Sequence, residues 1–304
     1  MSFTAKTLKK GLYLGISALA ASSVLFTGTA FAQIDEVIVT AQKREENIQD
    51  VPISITALPA DEVNLILLGG GDILSLANRT PSLYAESSNG RTAPRFYIRG
   101  LGNSDFALQA TQPVSVIVND VVLENTLLKS FPLFDVQQVE VLKGPQGTLF
   151  GRNTPAGIVK ISTVKPSEEF DVDFMTSFGT YGSTNTQAAL GGTVIEDLLT
   201  MRLSGAYIRR DDYVDNTFTG ERDALGGFED AAGRVQFLFT PSDNFNFLVD
   251  AHARDEDGTA TLFRANILTT GSNQINSNFN KKAVNYDGGG GNPQSITSKG
   301  ISVR

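Results

Sequence analysis

Beyond Pro166 the chain alternates. Val172, Phe174, Thr176 and Phe178 fall on one face, and Asp171, Asp173, Met175 and Ser177 on the other. The same period of two sets Met201, Leu203, Gly205 and Tyr207 against Arg202, Ser204 and Ala206. It returns in Val235, Phe237 and Phe239 against Arg234, Gln236 and Leu238. A last stretch sets Phe245, Phe247, Val249, Ala251 and Ala253 against Asn246, Leu248, Asp250, His252 and Arg254. Stretches of about ten residues with one apolar face predict transmembrane β-strands. A soluble β-sandwich alternates too, and two features favour the membrane. The stretches exceed the ~5–6 residues usual in soluble sheets. The connections are also unequal. Ile195-Glu196-Asp197 and Pro241-Ser242-Asp243-Asn244 are short, whereas residues 210–229 and everything after Asp255 read as long and polar. Short turns at one end and long loops at the other are the pattern of an outer-membrane barrel.

Residues 33–165 follow a different rule. Short β-branched runs centre on Val37-Ile38-Val39, Ile53-Ser54-Ile55, Phe96-Tyr97-Ile98, Val116-Ile117-Val118, Val139-Glu140-Val141-Leu142 and Gly157-Ile158-Val159-Lys160-Ile161. Between them Asp72 can cap a helical segment over residues 73–78, which Pro81 ends. Asn119-Asp120 between two apolar runs predicts a tight hairpin. This is the plan of a small α+β domain of about 120 residues.

The first 32 residues stand apart. Lys6, Lys9 and Lys10 precede an apolar run over residues 11–26, and Ala30-Phe31-Ala32 offers a small-x-small cleavage site. That is the plan of a secretory signal peptide. The apolar run is shorter than the ~20 residues a spanning helix needs, which disfavours an uncleaved anchor. The net charge of −8, with 33 acidic and 25 basic residues, argues against a nucleic-acid partner. The absence of cysteine removes disulfides, thiolate metal sites and a thiol nucleophile. The single histidine, His252, cannot build a multi-histidine cage and by alternation points into the barrel lumen. Gly-x-Ser-x-Gly is absent, as are a phosphate loop and a complete dinucleotide fingerprint. No catalytic residue, metal ligand or cofactor is therefore expected. Asp211-Asp212 and Asp255-Glu256-Asp257 read as solvated loop charges.

Four motifs follow in order. Asp35-Glu36-Val37-Ile38-Val39-Thr40-Ala41 comes almost directly after the cleavage site. Ile98-Arg99-Gly100-Leu101-Gly102 and Val118-Asn119-Asp120-Val121 lie downstream. The last is Val139-Glu140-Val141-Leu142-Lys143-Gly144-Pro145-Gln146-Gly147-Thr148-Leu149-Phe150-Gly151-Arg152-Asn153. The series resembles the TonB-dependent outer-membrane receptors. Two turns depart from that pattern: Asn119-Asp120 stands where Asp-Gly is usual, and Pro155-Ala156-Gly157 where a Gly-Gly pair is usual.

The resemblance implies an α+β plug domain followed by the start of an antiparallel transmembrane β-barrel that is incomplete in this chain. It divides the chain into a signal peptide (1–32), a TonB box and linker (33–45), a plug (46–166) and the first barrel strands (167–304). It assigns Asp35, Glu36, Val37, Ile38, Val39, Thr40 and Ala41 to binding the periplasmic domain of TonB. By residue type alone, this extended segment suits either strand addition to a partner's sheet or an ordinary first strand of the plug. The resemblance places Arg99 and Arg152 at the contact between plug and barrel, facing glutamates on later strands. It further implies outer-membrane lipid as surroundings and a scarce, bulky ligand. A ferric siderophore leads, with vitamin B12, heme or an oligosaccharide as alternatives. A signalling receptor would carry an extra domain before the box, and here the box begins three residues after the cleavage site.

Such receptors close a barrel of about 22 strands, which needs well over ~400 residues. The stretch after Pro166 suffices for about five strands at the observed spacing. The chain is expected to be an N-terminal piece of a longer receptor or a truncated reading frame, ending inside a polar loop rather than on a strand.

Overall fold

The computed structural model describes residues 37–105, 107–242, 244–288 and 291–304. The predicted signal peptide, Asp35 and Glu36 lie outside them. Ile38 to Arg304 form one compact unit. No helix among the described residues is long and apolar enough to cross a membrane.

The first half is a mixed sheet with helical pieces packed on it. The short strands β1 (Ile38–Val39) and β2 (Glu46–Asn47) pair with each other. The main sheet combines β3 (Ser54–Pro59), β6 (Val114–Val118), β7 (Val121–Leu123), β8 (Val136–Lys143) and β9 (Gly157–Thr163), in the order β3-β8-β9-β6-β7. The β6–β9 pair is parallel and the others are antiparallel. A second ribbon joins β4 (Leu83–Glu86) to β5 (Arg95–Ile98). The β-branched runs sit in these strands because alternate side chains on β8 and β9 feed opposite cores. Val139, Val141, Val159 and Ile161 face helix α1 (Ala60–Leu67) and its neighbours. Leu142 and Ile158 face the N-terminal segment. Each such aliphatic side chain contributes about 1.5–3 kcal/mol when buried.

The local signals act as expected. Asp72 caps the turn over Ile73–Asn78, its carboxylate accepting the Leu74 N–H at 3.0 Å, although the segment is 3₁₀ and not α. Asn119 and Asp120 take φ of 48° and 67° and close the β6–β7 hairpin. Both are residue types that tolerate the left-handed region a two-residue turn requires. Gly157, which follows Pro155-Ala156, adopts φ of 145°. A Cβ there would lie 2.1 Å from the Leu142 carbonyl, so only glycine admits this approach of β9 to β8.

The second half is one antiparallel sheet in chain order: β10 (Asp171–Phe178), β11 (Thr184–Ile195), β12 (Leu199–Arg210), β15 (Phe228–Ser242), β16 (Phe245–Thr259) and β18 (Pro293–Val303). It is not closed: β10 and β18 are its two edges. Edge N–H and C=O groups left unpaired in hydrocarbon cost several kcal/mol each, about as much as any unsatisfied polar group there. Between β12 and β15, β13 (Val214–Asn216) and β14 (Glu221–Leu225) form a small sheet with β17 (Ala283–Val284). It packs around Val214, Leu225 and Val284 at the long-loop end.

Two expectations about this half are corrected. The sheet has six strands rather than about five, and the chain ends on a strand rather than in a polar loop. β18 was hidden because its positions carry Gln, Ser, Thr, Lys and Gly, so no apolar period marks it. The strand ending near Ala253 also runs on to Thr259, through residues that read as loop charges. Its inward Arg254 and Glu256 are buried, while Asp255 faces out. The predicted outward face holds. Val172, Phe174 and Phe178 are exposed, at 61%, 69% and 78%, and Phe237 and Phe245 join them.

Candidate functional site

The N-terminal segment lies against the main sheet. Val39 and Ala41 are fully buried among Val51, Ile117, Leu142, Phe150 and Ile158, while Val37 and Ile38 are exposed. Thr40 sits over a cross-strand pair, Glu140 on β8 and Lys160 on β9. Its N–H donates to Glu140 Oε1 at 2.7 Å, and its hydroxyl to the same oxygen at 3.0 Å. Lys160 Nζ donates to the Thr40 carbonyl at 2.8 Å and also to its hydroxyl. Burial pulls the Lys160 ammonium below the usual lysine range, and the charges of Glu140 and Asp120 oppose that pull. In this state the backbone of the predicted TonB box is engaged by the plug itself.

Arg99 and Arg152 share no partner. Arg99 is exposed in the left-handed region, with φ of 53°, and its N–H donates to the Ser82 carbonyl at 2.9 Å. It forms no ion pair among the described residues. Arg152, with its side chain 83% exposed, pairs with Glu124 at 3.1 Å, and Asn153 donates to the same carboxylate at 3.0 Å. Glu124 follows the β6–β7 hairpin, so this contact stays local.

The larger feature is a buried polar seam between the plug and the strand sheet. Inward positions of β11, β12, β15 and β16 carry Asn185, Arg202, Asp230, Arg234, Gln236, Asp250, Arg254 and Glu256, all buried. Arg202 reaches Asp135, which precedes β8, at 2.6 Å, and Asp171 and Asp173 on β10 at 2.6 and 2.9 Å. Arg254 forks onto Asp230 at 2.9 and 2.8 Å and donates to the Ser130 hydroxyl at 2.9 Å. Gln236 donates to Asp250 and to Thr163, and Asn119 of the hairpin donates to Asp250 at 3.4 Å. Asn185 donates to the Leu67 carbonyl at the end of α1. Two ring contacts complete the seam: Arg234 over Phe134 at 4.7 Å, and His252 edge-on to Phe131 at 5.0 Å. His252 therefore faces inward as expected.

This seam was not singled out from the residues. A signal existed: the non-apolar faces of neighbouring strands carry opposite charges at inward positions. Only the register that brings β12, β15 and β16 side by side turns those charges into partners. A buried charge is tolerated when it is paired and hydrogen-bonded, and most of these are. The seam holds a small α+β body on the inner face of lipid-type strands.

The "TonB-dependent Receptor Plug Domain" family matches residues 47–158. This chain carries a plug domain of the TonB-dependent receptors. It is 27% identical over 232 residues to the pesticin receptor of Yersinia pestis, an alignment covering 74% of this chain and 33% of that protein. The vitamin B12 transporter BtuB of Vibrio vulnificus is 26% identical over 160 residues, 52% of this chain and 25% of its own length. Among solved structures, the ferric yersiniabactin uptake receptor FyuA from Yersinia pestis superposes with a TM-score of 0.62 at 25% identity. That superposition covers 68% of this chain and 32% of FyuA. The chain thus spans about a quarter to a third of the length of these relatives. The plug is followed by an unclosed antiparallel sheet that matches barrel strands of the receptor structures. Such a chain is a protein of the Gram-negative outer membrane. The relatives are receptors and transporters, not enzymes.

Proposed function

We propose that this plug and wall serve the uptake of a ferric siderophore across the outer membrane, driven through TonB. The observation that carries the reading is the plug held on the inner face of the strand sheet by a paired polar seam, with an N-terminal strand on the plug's other core. The relatives, which include a ferric yersiniabactin uptake receptor, support the ligand class. Within this reading residues 1–32 are the export signal, 33–45 the TonB box and linker, 46–166 the plug and 167–304 the first barrel strands. Asp35, Glu36, Val37, Ile38, Val39, Thr40 and Ala41 are the segment that TonB engages. Main-chain hydrogen bonds supply affinity in strand addition. The Thr40 N–H is held by Glu140 in this structure, so pairing with TonB at that position requires the segment to leave Glu140 and Lys160.

A peptide of residues 33–47 tests the docking without disturbing the plug. Val39→Pro removes one N–H and restricts φ. We expect the peptide to bind the periplasmic domain of TonB and the Val39→Pro peptide to bind at least about tenfold more weakly, a loss of ~1.4 kcal/mol. Isothermal titration measures both. Equal affinities would remove the docking-strand role.

A further inference from the structure

Between the β6–β7 hairpin of the plug and the strand sheet lies a cavity of about 200 Å³. Its plug side is apolar: Val118, Val121 and Leu123 of the hairpin strands, with Leu128 and Phe131 of the connection to β8. Its sheet side is polar: Arg234 on β15, Asp250 and His252 on β16, and Ser298 and Ser302 on β18. An apolar cavity of about 150 Å³ holds a benzene ring. This one has room for a ring and one small polar group.

The sheet keeps the space open. Gly300 stands opposite His252 in the β16–β18 pair. A Cβ there would lie 2.5 Å from the imidazole Nε2, so any larger residue would displace the ring. The ring also meets Phe131 edge-on at 5.0 Å, and its Nδ1 lies 3.2 Å from Asp250.

The buried arginines of the seam are unequally paired. Arg202 and Arg254 reach carboxylates through hydrogen bonds of 2.6 to 2.9 Å. Arg234 does not. Its side chain is 4% exposed, and its one ion partner among the described residues, Asp250, lies 3.7 Å from Nε. Its remaining contact is the face of Phe134. Asp250 is itself shared, taking Gln236 at 3.1 Å and Asn119 at 3.4 Å besides His252. Lys299 adds a second positive charge to the lining. A buried guanidinium without an acceptor is costly, and its N–H fork matches a carboxylate. A second carboxylate is the group this site lacks.

We propose that the cavity binds a small monocarboxylate with an apolar ring, the carboxylate toward Arg234 and the ring against Val121, Leu128 and Phe131. The proposal stands on the cavity and does not depend on the uptake reading. Plug and sheet each supply one side of the site, so the bound carboxylate joins them.

The chain has one histidine, so a ¹³C-labelled imidazole reports from this cavity alone. The full chain, refolded into lipid bilayers, would be titrated at fixed pH with benzoate, benzyl alcohol and benzylammonium. We expect benzoate to shift the His252 Cε1–H resonance saturably, with an affinity at least about tenfold above that of the other two. Arg234→Gln should lower benzoate to the level of benzyl alcohol and leave benzyl alcohol unchanged. Leu128→Trp, at a half-exposed position, should fill the cavity and abolish binding of all three. Circular dichroism of both variants checks folding. Benzyl alcohol or benzylammonium binding as tightly as benzoate, or benzoate unaffected by Arg234→Gln, would overturn the carboxylate assignment. Undiminished benzoate binding in Leu128→Trp would place the ligand elsewhere and overturn the site, as would the absence of any saturable shift.

Discussion

Replacing Arg202 with alanine should release the plug from its wall. Its guanidinium is about 1% exposed and binds Asp135 of the plug together with Asp171 and Asp173 of β10. Asp171 and Asp173 are partly solvated and can lose a partner cheaply. Asp135 is buried, so Arg202→Ala leaves a dry, unpaired carboxylate. Breaking a buried pair in this way costs about 3–5 kcal/mol. Urea unfolding of the refolded chain should show a loss near the lower end of that range. Adding Asp135→Asn should recover part of it, because the orphaned charge disappears. Arg202→Lys should recover less, since an ammonium cannot span three carboxylates as a fork does. A change below about 1 kcal/mol in Arg202→Ala, the size of a surface pair, would show that the seam does not hold the plug.

The second large effect concerns Arg99 and Arg152. Both are exposed here, and Arg152 meets only the local Glu124. We propose that in a completed barrel both arginines pair with glutamates on the wall. In a receptor with a completed barrel, Arg99→Ala with Arg152→Ala should loosen the plug and raise passive entry of small antibiotics several-fold. Single substitutions should do less, since the remaining arginine still holds. Antibiotic sensitivity at matched receptor level in the outer membrane measures this. Unchanged sensitivity in the double variant would remove the locking role.

Much of the fold was legible along the chain because its signals are local. The β-branched runs around Val116, Val139 and Ile158 are strands, Asp72 caps its turn, and Asn119-Asp120 turns the hairpin. The outward faces of β10 and β12 follow from Val172, Phe174 and Phe178 and from Leu203 and Tyr207. What stayed hidden depends on partners far along the chain. β18 has too few apolar residues to show a period, and its strand conformation is fixed by pairing with β16. The seam pairs Arg202 with Asp135 across 67 positions, and no spacing rule reaches that far. The clamp on Thr40 needs Glu140 and Lys160 to be cross-strand neighbours, and that follows from the β8–β9 register alone.

The central claim is that these strands face lipid on one side and the plug on the other. The chain has no cysteine, so single cysteines report without background. On β12, Leu203 and Tyr207 are exposed while Ser204 and Ala206, on the opposite face, are buried. Nitroxide labels at these four positions, in the chain refolded into lipid bilayers, would be tested for relaxation by oxygen and by a water-soluble nickel chelate. Labels at 203 and 207 should respond to oxygen and not to nickel. Labels at 204 and 206 should be immobilised and shielded from both. Nickel relaxing 203 and 207 as strongly as oxygen does would place β12 in water and contradict the barrel wall.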